Sequence, residues 1–212
     1  MAGKPHINLI TSGHVDAGKS TLIGRILFDS GSIREEEMRK LKDLATELKK
    51  ETFEFAFVMD KAKEERERGL TIDIMHRPFE SKKWYFTLID APGHRDFIKN
   101  MITGASQADV AILVVSAKPG EGIQDQTKEH VFLMKVLGIQ QLLVALNKMD
   151  AANYDQKRFD ELKKEIEALL KGVGYKVEEI PFIPVSAYTG ENVAKKSDKM
   201  PWYTGVSLIE AL

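Results

Sequence analysis

The stretch GHVDAGKST, residues 13–21, sets two glycines with four residues between them ahead of a lysine and a serine. Gly13 and Gly18 permit positive φ and let a ligand approach the backbone closely. Such a loop turns its N–H groups inward and, at the start of a helix, makes a nest for anions. Lys19 is placed to reach the β- and γ-phosphates of a nucleotide, the Ser20 hydroxyl to bind Mg²⁺, and Thr21 to contact the α-phosphate. His14, Val15, Asp16 and Ala17 complete the loop; the His14 side chain reads as loop filler. This is the P-loop pattern. Its place after the apolar run INLI and before a helical run separates it from a chance match.

A P-loop does not choose between bases. NKMD, Asn147 to Asp150, follows the apolar run QLLVAL. Guanine presents two donors on one edge, N1–H and the 2-amino group, and the carboxylate of Asp150 offers two acceptors to match. Adenine would set a lone pair against that carboxylate. A site built on such hydrogen bonds rejects the analogue lacking the partner by about 10⁴ to 10⁵. Asn147 is expected to read the N7/O6 side and to tie this loop to the P-loop. The stem of Lys148 is expected to lie on the base face. In SAYTG, the backbone N–H groups of Ser186 and Ala187 could cap guanine O6, with Tyr188 beside them. Alone, N-K-x-D also describes a strand-to-helix turn with an Asp cap; together with a P-loop it points to GTP and GDP.

DAPGH, Asp90 to His94, ends another apolar run. Asp90 at a strand end can hold the water shell of Mg²⁺. Gly93 lets its own N–H meet the γ-phosphate. His94 then stands where an attacking water must approach, and a positioned histidine contributes about 10² to 10⁴ in rate. Thr71, in ERERGLTID, could give its hydroxyl to Mg²⁺ and its N–H to the γ-phosphate, and departure of that phosphate would release both groups. His6, His76 and His130 read as structural.

These residues need a scaffold that brings strand ends to one edge. Strands are expected at His6–Thr11, Ile72–Phe79, Trp84–Asp90, Val110–Ser116, Gln141–Leu146 and Ile180–Val185. The short ESKKW link makes the second and third an antiparallel hairpin. Helices are expected at Lys19–Ser30, Gly93–Thr103, Gln124–Leu137 and Tyr154–Lys171, and the last segment, GVSLIEAL, also reads as helical. The alternation implies an α/β fold with a mostly parallel six-stranded sheet and helices on both faces; with the P-loop and NKMD motifs the expected architecture is a three-layer P-loop NTPase G domain. Ligands in such sheets sit outside the carboxyl ends of the strands, where every motif above falls. Residues 34–67 interrupt the pattern as a charged helical insertion, with Met38, Leu41, Leu44 and Leu48 on one stripe.

Composition narrows the classes. The chain has 212 residues, 43% hydrophobic and 30% charged, with a net charge of −1 and no cysteine. One domain is expected. Near-neutral charge excludes a strong general field for nucleic acid, and the lack of cysteine excludes disulfides and thiolate metal sites. No signal-peptide or membrane-spanning run is visible, so a soluble cytoplasmic protein is expected.

GHVDAGKST, ERERGLTID, DAPGHRDFIKNMITGASQAD, NKMD and MPWYTG, in that order, closely resemble the GTP-binding domain of the translational GTPases, in particular their archaeal and eukaryotic elongation-factor branch. The resemblance covers nearly the whole chain. It implies a GTP-dependent carrier that delivers aminoacyl-tRNA to the ribosome, hydrolyses GTP slowly alone, and is reset by a guanine nucleotide exchange factor. It implies that Val15 and Leu70 flank the catalytic water as an apolar gate, Leu70 standing where the family more often has isoleucine. It implies a monovalent-cation site near Asp16. No arginine stands out as an in-cis finger, so ribosomal RNA is the expected trigger. The family continues into two β-barrel domains that this chain does not contain. Two other jobs use a similar domain: a termination or ribosome-rescue GTPase, and the GTPase subunit of a sulfate-activating enzyme. A structural protein with a vestigial P-loop is the bland alternative.

Overall fold

Strand β4 (Val110–Ser116, VAILVVS) is apolar on both sides and buried at every position, as a central parallel strand must be. In the computed structural model, which describes residues 3–47, 55–58, 75–90 and 98–212, it lies at the middle of a six-stranded sheet. The other strands are β1 (His6–Ser12), β2 (Met75–Glu80), β3 (Tyr85–Asp90), β5 (Gln141–Asn147) and β6 (Phe182–Pro184), in the order β2-β3-β1-β4-β5-β6. All neighbours run parallel except β2 and β3, the expected hairpin. Pro78 sits in β2, at the edge of the sheet, where a missing N–H does least harm. Phe79 and Phe86 stack across the hairpin with centroids 4.8 Å apart.

Alternation along the strands divides the core into two layers. Ile112 and Val114 pack with Leu22, Ile23, Ile26 and Leu27 of α1 (Lys19–Asp29), while Leu113 and Val115 face the opposite cluster. The insertion contributes α2 (Glu35–Glu47) and a short 3₁₀ turn, Ala56–Val58. The second cluster holds Met101 of α3 (Ile98–Ala105), Val131 and Met134 of α4 (Asp125–Val136), and Phe159, Leu162 and Ile166 of α5 (Gln156–Val173). Apolar residues three and four apart give each of these helices one inward face. Helix α6 (Leu208–Ala211) adds Leu208 to the first layer.

Within the insertion, Met38 is buried and Leu41 packs against the core, in agreement with the expected stripe; Leu44 falls in α2 and Leu48 outside the described residues. Gly24 of α1 meets the 3₁₀ turn so closely that an added Cβ would strike the Phe55 carbonyl. Among the described residues no helix is long and apolar enough to cross a membrane.

Candidate nucleotide-binding site

β1 pairs with β3 on one side and β4 on the other. Connections leave in both directions there, and the crevice at the carboxyl ends of such strands is where a ligand fits. The P-loop fills that crevice. Gly13 (φ 140°) and Gly18 (φ 87°) hold left-handed backbone, as does Asp16 (φ 64°). A Cβ at Gly13 would strike the Val114 carbonyl, and one at Gly18 would strike the Asn147 amide. Only glycine therefore lets the loop sit against both β4 and the NKMD turn.

Charge is concentrated at the loop's end. Lys19 opens α1, is 7% exposed, and donates from Nζ to the His14 carbonyl at 2.8 Å. Burial pulls its ammonium down to about 8, against the opposing pull of Asp90 and Asp16. Asp90 is fully buried at the end of β3 and accepts from Thr11 Oγ1 at 3.3 Å. Ser20 lies in the first turn of α1. A hydroxyl and a carboxylate are the oxygen donors that Mg²⁺ takes at phosphate sites, so Ser20 and Asp90 fit that ion chemically. Thr21 stands one residue on, half-buried. Thr71, Leu70, Gly93 and His94 lie outside the described residues.

Two residues outside the sequence motifs hold the P-loop from behind. His130, 3% exposed on α4, accepts the Gly13 N–H at Nδ1 (3.3 Å), which requires a neutral ring with its proton on Nε2. Burial, with the charge of Lys19, pulls this imidazole down to about 4. One turn earlier, Gln126 Oε1 accepts the Val15 N–H at 3.4 Å. The i, i+4 spacing of Gln126 and His130 puts both on one face of α4; what that face touches is a long-range matter. So His130 is structural, as expected, but what it supports is the phosphate loop. Val15 and His14 are half-buried, and Asp16 is exposed.

At the base end, the backbone turns after β5. Asn147 donates from Nδ2 to the Ala17 carbonyl (2.9 Å) and accepts at Oδ1 from the Ala187 N–H (2.9 Å). One amide thus ties together the P-loop, the NKMD turn and the SAYTG loop. The tie matches the sequence expectation. The other assigned contacts differ in detail: the Ala187 N–H is engaged by Asn147, and the Ser186 N–H donates to the Glu191 carbonyl at 3.1 Å. Any contact of these two groups with guanine O6 would have to be shared. Asp150 Oδ1 accepts from Ser186 Oγ at 2.5 Å, and a carboxylate has lone pairs left for two further donors. Lys148 (φ 61°) donates from Nζ to Glu121 Oε2 at 2.9 Å. Tyr188 is half exposed, and its carbonyl accepts from Arg25.

Arg25 of α1 links this end to the insertion. Its guanidinium pairs with Asp29 at 3.0 Å, lies 5.1 Å from the centroid of the Phe55 ring, and abuts Gly190, where a Cβ would strike it. A cleft of about 220 Å³ runs between His14–Ala17 of the P-loop and Ser116, at the end of β4, with Glu121 and Gly122 beyond it. A larger one, about 840 Å³, lies at the opposite edge, against the first residues of β1, β4 and β5. The motifs gather at the first edge, and the chemistry belongs there despite the smaller volume.

The sheet order, the glycine turn and the carboxylate after β5 define a P-loop G domain. The profile described as the elongation factor Tu GTP binding domain matches residues 4–212, and the chain belongs to that family. It is 59% identical over 211 residues to elongation factor 1-alpha of Methanocella arvoryzae, covering 100% of this chain and 49% of that protein. It is 62% identical over 208 residues to elongation factor 1-alpha of Archaeoglobus fulgidus, covering 98% and 49%. The chain thus spans about half the length of the curated relatives it matches. Among solved structures it is similar to the S. cerevisiae Ski7 GTPase-like domain bound to GTP, with TM-score 0.84 and 25% identity over 98% of this chain and 49% of that one. It is also similar to Sup35 complexed with GDP, with TM-score 0.73 and 34% identity over 99% and 44%.

Proposed function

We propose that this chain is the GTP-binding and GTP-hydrolysing switch domain of a translation elongation factor that delivers aminoacyl-tRNA to the ribosome. The observation that carries the reading is the Asn147 tie. It holds the P-loop and the Asp150 carboxylate in one frame, as a site reading both the phosphates and the purine requires. The names of relatives near 60% identity favour elongation over termination or rescue. No observation favours sulfate activation.

In this reading the P-loop N–H groups and Lys19 bind the phosphates, and Asp150, with Lys148 over the ring, selects guanine. Ser20 and Asp90, joined by Thr71, would hold Mg²⁺, which neutralises charge on the phosphate oxygens when bound. His94 orients the attacking water behind the gate of Val15 and Leu70, and Asp16 would help hold a monovalent cation. Ala17, Thr21, Gly93 and Tyr188 complete the nucleotide's surroundings. The ribosome, aminoacyl-tRNA and a guanine nucleotide exchange factor are the partners, reached in the cytoplasm and with no role for a membrane. Much of the tRNA surface would lie in the part of the relatives that this chain does not span.

The test is competition for fluorescent GDP by unlabelled GTP and ATP, followed by GTP turnover with and without ribosomes. Preference for GTP and a ribosome-stimulated rate support the reading. Equal competition by ATP, or no binding at micromolar concentration, overturns it.

A further inference from the structure

The loop after β4 is fixed by four hydrogen bonds around one carboxylate. Arg158, near the start of α5, donates from Nε to the Ala117 carbonyl and from Nη2 to the Glu121 carbonyl, both at 3.0 Å. The Ala117 N–H donates to the Asn147 carbonyl at 2.7 Å, and the Glu121 N–H to the Lys118 carbonyl at 3.0 Å. With its backbone held at both ends, Glu121 has little choice of direction. Its two oxygens meet two ammonium groups: Oε1 that of Lys118 at 3.1 Å, Oε2 that of Lys148 at 2.9 Å. Burial raises its pKa, but hydrogen bonds from Ser116, Lys148 and Lys118 outweigh that and hold the carboxyl down to about 2.

Lys148 is a long side chain on left-handed backbone. An untethered lysine has many rotamers, and fixing them on binding opposes affinity. A partner that holds the ammonium beforehand removes that penalty. We infer that Glu121 is a positioning residue for the purine: pinned by Arg158, it anchors the Lys148 ammonium so that the stem is already laid out as one wall of the base pocket. The inference rests on the guanine-nucleotide reading above. It assigns base affinity to a loop that lies outside the motifs of that reading.

The experiment measures release of fluorescent GDP from the 212-residue chain. Glu121→Ala is expected to speed release by about three- to tenfold, and Glu121→Gln, which keeps an acceptor but no charge, by less. Lys118→Met removes a neighbour of the same carboxylate and should leave release unchanged. The deciding arm is a double-mutant cycle. In a Lys148→Ala background, Glu121→Ala should add nothing, because the wall it positions is already gone. Equal acceleration in both backgrounds, acceleration by Lys118→Met matching that of Glu121→Ala, or unchanged release in both Glu121 variants would each overturn the inference. Failure of the unsubstituted chain to bind GDP would instead count against the nucleotide reading itself.

Discussion

At the base end of the site, polar groups are largely satisfied by one another: Asn147 by Ala17 and Ala187, Asp150 by Ser186, Lys148 by Glu121. At the phosphate end, Lys19 is buried and donates to a backbone carbonyl, although an ammonium has three donors to place. Burial, not pairing, dominates its titration. The first end is a preassembled frame whose shape discriminates. The second holds a charge that, among the described residues, donates to one backbone carbonyl, and its titration responds to what approaches. Recognition of the purine should accordingly resist changes of pH, and recognition of the phosphates should not.

The sharpest break would come from Asp150→Asn. Trading two acceptors for one acceptor and one donor should turn preference from guanosine toward xanthosine diphosphate, changing their affinity ratio by up to about 10⁴. Competition titration of both nucleotides checks it. Next is Lys19→Ala, which removes a charge-assisted contact. Affinity for GDP should fall by about 10² to 10³, with guanine-over-xanthine preference retained. Loss of that preference would mean that the two ends are not separable.

His130 tests the support beneath the P-loop. Its folded imidazole titrates near 4 and its unfolded one near 6.5, so as pH falls the unfolded chain takes the proton first. The contribution is complete above pH 6.5 and declines as pH falls from there through 4, by about 3 kcal/mol in all, or about 10² in the folding equilibrium. Urea unfolding of the nucleotide-free chain should show that slope, and His130→Gln should flatten it. The smallest effect concerns Lys19. Its pKa near 8 must rise when an anionic phosphate binds, so above pH 8 binding requires proton uptake. GDP affinity should fall by at most about tenfold per unit between pH 8 and 9, and Lys19→Ala should remove the dependence. A flat profile in the unsubstituted chain would erase the contrast between the two ends.

Much of this architecture is legible in the sequence. β4 has the expected bounds because a strand buried on both faces leaves no ambiguity at its ends. The hairpin and the sheet class also stand, and of the insertion the described first part, α2, is helical as expected. Ends set by single hydrogen bonds are less readable. Helix α5 starts at Gln156 rather than Tyr154 because Asp155 accepts the N–H groups of Lys157 and Arg158, and Asn153 and Tyr154 take positive φ. It runs on to Val173 because Gly174 supplies the left-handed cap. Strand β6 is only Phe182–Pro184, shortened by the 3₁₀ turn Val177–Glu179. In the site, the motif residues are legible because their spacing is local. Gln126, His130 and Glu121 are not, because helical periodicity tells which way a side chain faces, not which loop will be there.

Arg25 carries a consequence for mechanics. One guanidinium is wedged among the Phe55 ring, Asp29, the Tyr188 carbonyl and the bare backbone of Gly190. Phe55 belongs to the insertion, and Tyr188 to the SAYTG loop. A rigid plane gripped on several sides transmits a push as a lever does, so a shift of the 55–58 turn should carry the 188–190 loop with it.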